Sequence, residues 1–423
     1  MSKIAKILSR EILDSRGFPT VEVKVILDSG YVGIASAPSG LSVGGFEAVE
    51  VRDGDPNRLA GFGVLKAVSN VSQIIAPELE GTEAESQTEI DQILLKLDGT
   101  EDKKNLGTNA MLPVSVGVAK AQAANLHLPL YRYLARLFVT EDKLAKIPTP
   151  LFNILNGGKH GAGNLEFQEF IVSPSQTAPY SAGLQVGVEI YYALKKILVY
   201  RNAIHSVGDE GGFAPNLYTN ADALEVIVEA VNTTSYSFGR DVFLGLDCAA
   251  NNFKVDSHYR IRDRSNPISS YDLLEYYREL ITHYRILIIE DPFSEDAWDD
   301  WVEFTKTVGN EVFVVADDLV ATNLKRLTEA VEKKAANALL AKPNQVGTIT
   351  ETWQAVAKAQ NSGWKVIVSH RSGETLDTFI ADFAVAVGAD YVKFGAPARG
   401  ERVVKYNRLL EIEQELGKTG TNG

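Results

Sequence analysis

The sequence is poor in cysteine and in positive charge, and each shortage excludes a class of protein. Its 423 residues contain a single cysteine, Cys248, so an intrachain disulfide framework is excluded and a reducing compartment is indicated. Lys and Arg number 42 against 55 Asp and Glu, for a formal net charge of −13. Because nucleic-acid partners usually demand a basic face, we expect no nucleic-acid partner, although this total still allows a locally cationic pocket.

Long hydrophobic runs are missing as well. No stretch approaches the ~18 uninterrupted apolar residues of a membrane span, and the N-terminus lacks the basic and apolar regions of a secretory signal. We therefore expect a cytoplasmic protein with no membrane partner.

Short apolar runs are present in the second half of the chain, and each of six ends on a polar residue. Such runs are typical of strands buried on both faces, and the segments between them are long enough for one helix each. This pattern predicts a (β/α)8 barrel, in which catalytic groups lie at the C-terminal ends of the strands. The residues at the run ends are Asp247, Glu290, Asp317, Lys342, His370 and Lys393. We expect them to converge at one mouth.

The first part of the chain predicts a separate domain. Residues 3–37 alternate apolar and polar side chains between turn signals, as in a three-stranded antiparallel meander. Helical periodicity follows in residues 57–76, 84–96 and 108–136. A polar segment then precedes Pro148 and Pro150. We therefore predict an N-terminal α+β capping domain (1–139) and a C-terminal catalytic barrel (140–423).

Three acids at the run ends are candidate metal ligands. Asp247, Glu290 and Asp317 offer hard oxygen atoms on adjacent predicted strands, which suits Mg²⁺ better than zinc. Any one of them could instead pair with a lysine or cap a helix. Their occurrence at successive strand ends favours a metal site.

Two lysines complement these acids. A lysine near a divalent cation and a second ammonium loses proton affinity, so Lys342 or Lys393 could act as a base that removes a proton α to a metal-bound carboxylate. Either could instead bind phosphate or carboxylate without proton transfer. Residues 370–372, His-Arg-Ser, offer a forked cation and a hydroxyl for an oxyanion or phosphate clamp, although this short motif is a weak signal.

Other candidates lie in glycine-rich or apolar surroundings. Glu210 lies among glycines, where acids are often turn residues, and His160 could equally be a surface histidine. Gln168 and Glu169 interrupt an apolar strand, and a glutamate buried there needs either a salt bridge or a function. The glycine- and serine-rich segment 37–45 could close over an anionic ligand or be an ordinary surface connection.

Seven strings, taken together and in order, make the sequence recognisable. The chain resembles the enolase family along nearly its whole length. The strings occupy residues 10–17, 97–101, 207–212, 245–250, 289–293, 317–319 and 369–375. The resemblance implies an enolase-type barrel whose second strand is antiparallel, and a homodimer or an octamer of dimers. It also implies the reversible dehydration of 2-phosphoglycerate to phosphoenolpyruvate in glycolysis, with two Mg²⁺ per site, the second joining with the substrate.

The resemblance also implies roles for individual residues. Lys342 matches the base that takes the C2 proton, and Glu210 matches the acid that protonates the departing C3 hydroxyl. The first Mg²⁺ would be bound by Asp247, Glu290 and Asp317, and the second by Ser42. The matched substrate-side residues are His160, Gln168, Glu169, His370, Arg371, Ser372 and Lys393.

The sequence departs from the family pattern close to these positions. Leu41 and Val43 stand where the family's closing loop has alanine and threonine, and Pro343 follows Lys342 where valine is usual. Two alternatives to an enolase therefore stay open. One is a paralogue that acts on a related phosphorylated or phosphonylated acid, such as carboxyphosphonoenolpyruvate synthase. The other is a scaffold or binding role, in RNA processing or surface adhesion.

Overall fold

The computed structural model describes residues 2–40, 44–138, 146–161 and 163–420. The domain boundary predicted at residues 140–146 falls almost entirely outside these ranges and stays a prediction. In the part of the chain that the structure describes, no helix combines the length and the apolar character needed to cross a membrane.

The N-terminal domain contains the predicted meander. Strands β1 (Ile4–Leu13), β2 (Pro19–Leu27) and β3 (Val32–Ser36) form an antiparallel sheet in that order. Alternate residues of β2, including Val21, Val23 and Val25, are fully buried. The sheet packs so closely on helix α4 (Thr108–Asn125) that a Cβ at Gly33 would lie 2.0 Å from the carbonyl oxygen of Gly117. Glycine at position 33 is therefore required by packing.

The helices of this domain differ from the prediction in two places. They are α1 (Leu65–Asn70), α2 (Ala76–Leu79), α3 (Gln87–Asp98), α4 and α5 (Leu130–Phe138), with a π-helical turn Val71–Ile75 between α1 and α2. The predicted helix 57–76 begins only at residue 65, because Leu59 and Ala60 have positive φ. The predicted helix 108–136 is two helices, since His127 has φ +54° and Pro129 follows.

The second domain is the predicted closed barrel of eight strands. Its strands, in order around the barrel, are β4 (Thr149–Asn156), β5 (Glu169–Pro174), β6 (Val242–Asp247), β9 (Ile286–Glu290), β10 (Phe313–Ala316), β11 (Ala338–Ala341), β12 (Lys365–Ser369) and β13 (Tyr391–Lys393). The short hairpin β7 (Lys254–Val255) and β8 (His258–Tyr259) lies outside it. Only β5 pairs antiparallel with its neighbours among these eight strands.

Helices surround the barrel, and its interior is packed with apolar side chains. The helices are α6 (Tyr180–Tyr200), α7 (Asn220–Asn232), α8 (Ser270–Tyr284), α9 (Trp298–Val308), α10 (Leu324–Lys333), α11 (Ile349–Asn361), α12 (Phe379–Ala386) and α13 (Gly400–Gly420). Inward-facing residues such as Leu151, Ile288 and Ile367 form a core of their own. The barrel is therefore filled with side chains and is not an open channel, and a site at the C-terminal ends of the strands would lie above this packed interior.

A buried carboxylate joins the two domains. Asp91 of α3 is fully buried, and its Oδ2 accepts hydrogen bonds from the amide (2.9 Å) and hydroxyl (2.6 Å) of Thr350, in the first turn of α11. Its Oδ1 accepts from Gln87 at 3.0 Å and from Ser115 at 2.6 Å. An acid from the capping domain therefore caps a barrel helix.

Replacing Asp91 with alanine should lower the free energy of unfolding by about 2 kcal/mol, because four buried donors lose their acceptor. The loss should appear as a lower melting temperature in thermal unfolding. The matched control is Glu89→Ala, an exposed acid on the same helix, which we expect to change stability by less than ~0.5 kcal/mol. Equal effects of the two substitutions would contradict the role of Asp91.

The cost of Asp91→Ala should also depend on pH. Burial raises the pKa of Asp91 from 3.8 to about 6. Between these values the folded protein binds a proton that the unfolded chain does not, so wild-type stability rises as the pH falls through 6. The alanine variant lacks this proton, and the gap between the two proteins should widen by about 1 kcal/mol from pH 7.5 to pH 5. A constant gap would show that Asp91 titrates normally.

Candidate active site

The mouth of the barrel contains a cavity of about 280 Å³ lined mainly by charged and polar side chains. Five of the six residues predicted at strand ends line it directly: Asp247, Asp317, Lys342, His370 and Lys393. Glu290 is 1 % exposed and bonds to Lys393 beneath this surface. The convergence predicted from the sequence is thus present in the structure.

Lys393 is the centre of an ionic cluster. Its Nζ lies 2.8 Å from Glu290, 3.1 Å from Glu169 and 3.4 Å from Asp247. Burial would lower the pKa of this lysine, but the three carboxylates outweigh burial and raise it well above its usual value. The ammonium is therefore charged, and it pairs with carboxylates from three strands, β5, β6 and β9.

Glu169 and Gln168 lie at the mouth for a reason that the sequence argument did not supply. The prediction placed them inside a strand, whereas β5 begins at Glu169. Because β5 runs antiparallel, its first residue faces the end where the other strands finish. Gln168 precedes it and donates from Nε2 to Asp247 at 3.2 Å.

A second cluster is built around Glu210, which is 2 % exposed. It accepts hydrogen bonds from Asn153 at 2.9 Å and from the Ser372 hydroxyl at 3.1 Å. His160 Nδ1 lies 3.4 Å from Glu210, and His370 Nε2 lies 3.6 Å from it. The alternative of a surface histidine at position 160 is wrong, because His160, the last residue of the 3-10 turn Gly158–His160, is only 7 % exposed.

The two histidines beside Glu210 carry different charges. Burial disfavours the imidazolium of His160, but Glu210 and Glu169 outweigh burial and raise the pKa of His160 to about 10. Burial lowers the pKa of His370 to about 3, and the nearby Arg402 acts in the same direction against the attraction of Glu210. The charge of His160 in turn keeps the pKa of Glu210 well below its usual range, although burial alone would raise it.

Arg371 is a third charged group at the barrel mouth, and it contacts the capping domain. Its guanidinium donates to Glu47 at 2.6 and 3.1 Å in a forked pair, and to the side-chain oxygen of Asn344 at 3.0 Å. Glu47 also accepts from the amide of Gly44 at 3.0 Å. The end of the glycine-rich segment is therefore connected to this arginine.

The start of the glycine-rich segment is also fixed to the barrel. Ser39 exchanges two backbone hydrogen bonds with Gly373, at 2.7 and 2.9 Å. Ser42, the predicted ligand of a second metal ion, lies outside the described residues, as do Leu41 and Val43.

The carboxylates fit a divalent cation. Asp247 Oδ1 is buried without a hydrogen-bond partner among the described residues. Burial and the neighbouring charge of Asp247 raise the pKa of Glu290 well above its usual value, so the acids repel one another in spite of Lys393. A divalent cation bound by these oxygen atoms would give Asp247 Oδ1 a partner and would reduce the repulsion among the acids.

The distances between side-chain ligand atoms also indicate possible metal-binding groups, and these include acids that were not predicted from the sequence. Side-chain ligand atoms lie within 4.8 Å of one another in two sets of three described residues, namely His160 with Glu169 and Glu210, and Asp291 with Asp317 and Asp318. Of the predicted metal ligands, only Asp317 belongs to such a set. The side chain of Asp291 is occupied in positioning the strand end, since it accepts the amide hydrogens of Asp317 and Asp318 at 3.1 and 3.0 Å.

Two family models match the chain. The enolase N-terminal domain matches residues 4–134, and the enolase C-terminal TIM barrel domain matches residues 144–422. The protein belongs to the enolase family. Its domains are those of a lyase-type enzyme, and its acidic clusters could hold the Mg²⁺ that this family typically binds.

The sequence predicts that a bound divalent cation lowers the pKa of Lys342 in this enolase-family protein, and this stays a prediction. Burial acts in that direction, but Asp317, which accepts a hydrogen bond from the Lys342 ammonium, outweighs it and raises the pKa. The prediction assumed a bound cation, which would compete for Asp317.

The unusual proline after Lys342 fits its surroundings. Lys342 has extended backbone angles, φ −125° and ψ 106°, as a residue before proline prefers. Pro343 begins a 3-10 turn, where its missing amide hydrogen costs nothing. Lys342 therefore keeps its place at the strand end.

Several polar residues of the enolase-family site were missed by the sequence argument. Asn153 lies in the middle of β4, so it follows no strand end. Others approach from the capping domain, from loops or from a helix. The missed residues are Glu47, Asn153, Asp291, Asn344, Gln345 and Arg402. Only Asp291 had a usable signal, because it follows a predicted strand-end acid directly.

Neither histidine beside Glu210 should titrate between about pH 5 and 8 in the metal-free protein, because one stays charged and the other neutral. Imidazole ¹⁵N shifts would measure this. In Glu210→Gln, His160 loses one of its two carboxylates, and its pKa should fall. A midpoint near about 6.5 for His160 in the wild type would contradict the proposed charge pattern.

Proposed function

We propose that this protein is a magnesium-dependent enolase that reversibly dehydrates 2-phosphoglycerate to phosphoenolpyruvate. The observation that supports this most is that one cavity brings together a lysine that could act as base, a glutamate that could act as acid, carboxylates that could bind metal, and an arginine that could bind phosphate. Those that line the cavity are Lys342, Glu210, Asp247, Asp317 and Arg371, and Glu290 pairs with Lys393 beside them. A glycolytic role, a cytoplasmic location and a homodimeric or octameric assembly follow from the resemblance and stay predictions.

The cationic groups suit a small, doubly acidic substrate. Arg371 and Ser372 would bind the phosphate, since a guanidinium offers several donors in a fixed plane. Lys393 would attract the carboxylate. His160, Gln168, Glu169 and His370 complete the substrate side of the cavity. These cations lie among a larger number of carboxylates in the cavity lining, whose charge a bound divalent cation would offset.

Mg²⁺, held by Asp247, Glu290 and Asp317, would stabilise the negative charge that develops on the substrate carboxylate, and Ser42 would serve a second ion. Lys342 would remove the C2 proton in its neutral form. Asp317 is the main group that raises the pKa of Lys342, so a cation bound by Asp317 would weaken that interaction and favour the neutral amine. The same residues would thus bind metal and release the base.

Glu210 would deliver a proton to the departing C3 hydroxyl. The charge of His160 keeps it ionised, so it must first gain this proton, and that imidazolium lies 3.4 Å away. In the reverse direction the carboxylate of Glu210 would accept a proton from water as the hydroxyl adds to C3.

The first test is phosphoenolpyruvate formation from 2-phosphoglycerate, followed by ultraviolet absorbance with saturating Mg²⁺. We expect turnover at about 1–1000 per second that EDTA abolishes and added Mg²⁺ restores. Asp256→Asn, at an exposed acid, is the control for Asp317→Asn, which should raise the Mg²⁺ concentration needed. Negligible turnover by folded, metal-loaded protein would reject the proposal.

The roles of base and acid can be separated by exchange of the C2 proton with solvent deuterium. Lys342→Ala should lose both exchange and turnover, because no other group removes this proton. Glu210→Gln should lose turnover by about 100-fold or more while exchange continues, since it acts at the later step. Exchange that survives in Lys342→Ala would mean that another residue is the base.

A further inference from the structure

Helix α13 presents two buried cations to the loop that follows β12. Arg402 and Lys405 are both 0 % exposed and lie one turn apart. Lys405 pairs with Glu374 at 2.9 Å and donates to the carbonyl of Thr375 at 2.9 Å. Burying a cation is costly unless its hydrogen bonds are well made, so the partners of Arg402 indicate what it does.

Arg402 joins two loops of the cavity by their backbones. Its Nη1 donates to the carbonyl of Arg371 at 2.6 Å, and its Nη2 to the carbonyl of Ser372 at 2.6 Å. Nη2 also donates to the carbonyl of Asp209 at 3.1 Å, beside Glu210. One guanidinium therefore sets the spacing between the anion clamp and the acid.

Arg402 also contacts two side chains, Glu401, whose carboxylate lies 3.4 Å from its Nε, and His370. Nη1 lies 2.6 Å from His370 Nδ1. A guanidinium only donates hydrogen bonds and stays protonated, so Nδ1 must be the acceptor and the ring proton must be on Nε2. His370 Nε2 is buried and has no hydrogen-bond partner among the described residues. Its N–H lies 3.6 Å from the Glu210 carboxylate, beyond hydrogen-bond distance, and is therefore available to a ligand in the cavity. Lys393 is a further charged group that acts on the ring, and it disfavours the imidazolium as Arg402 does.

We propose that Arg402 is a positioning residue that keeps Nδ1 of His370 unprotonated and so makes the ring a neutral Nε2–H donor toward the substrate. The substrate part of this inference rests on the proposed function. The chemical advantage is that His370 neither supplies nor removes a proton beside Glu210. The transferable protons then belong to Glu210 and its other neighbour, His160.

A purely structural role for Arg402 would leave the protonation of His370 unchanged, so ¹⁵N spectra of metal-free protein distinguish the two. In the wild type, Nδ1 should keep the shift of an unprotonated nitrogen from about pH 8 to pH 5. In Arg402→Met, Nδ1 should carry a proton, either at every pH as the other neutral tautomer or below about pH 6 as an imidazolium. An unprotonated Nδ1 throughout in this variant would overturn the proposal.

Arg402→Lys keeps the charge and covers the case in which the methionine variant fails to fold. A lysine cannot span the same acceptors, so its kcat should fall by about 100-fold, with a smaller change in KM. The matched control is Arg408→Lys, on the same helix but paired with Asp382 at 2.8 Å, away from the cavity. It should leave kcat unchanged.

A double-mutant cycle shows whether Arg402 acts through His370. The fold-decrease in kcat caused by Arg402→Lys should be at least about fivefold smaller in a His370→Ala background than in the wild type. Equal decreases in the two backgrounds would overturn the proposal. The spectra need no substrate. A wild type that fails to form phosphoenolpyruvate but shows the expected Nδ1 behaviour would therefore reject the proposed function and leave the role of Arg402 intact.

Discussion

Charge balance among buried groups at the barrel mouth is the constraint on which the rest of the site depends. Lys393 lies within 3.4 Å of Glu169, Asp247 and Glu290, and all four side chains are nearly inaccessible to water. Each of these charges would be costly alone, and losing one would leave the others uncompensated. Four strands must therefore deliver their charged residues at the same height. A closed barrel with fixed register does this, which a set of flexible loops would not.

The reversed strand β5 is how the barrel meets this requirement. In register, Glu169 lies opposite Asp247 of β6, and Asp247 lies opposite Glu290 of β9. Three carboxylates thus form a row across neighbouring strands. If β5 ran parallel to the others, its last residue, Pro174, would occupy that level in place of Glu169. The direction of one strand therefore decides whether Lys393 has a third acidic partner.

This geometry explains how much could be predicted from the sequence. The rule that polar residues follow buried strands predicted the barrel and the six side chains that converge, because burial and strand period are local properties of the chain. The rule does not find Glu169, which begins its strand and was selected instead as an acid within an apolar run. Helical periodicity, in turn, did not predict the division at His127, where the backbone has a positive φ. Glu47 and Arg402 were missed because they reach the site from another domain and from a helix. Their partners are set by tertiary packing, which sequence spacing does not encode.

The capping domain completes the site as well as covering it. Glu47 neutralises much of the charge of Arg371, so an anion at this arginine must share its donors with a carboxylate from the other domain. The same carboxylate accepts the amide of Gly44, and the other end of the glycine-rich segment is bonded to Gly373, two residues beyond Arg371. A change in the contacts of Arg371 therefore reaches both ends of that segment through hydrogen bonds already present. Binding at Arg371 and the contacts that hold the two described ends of the segment therefore depend on the same groups, so a substitution in either should alter both.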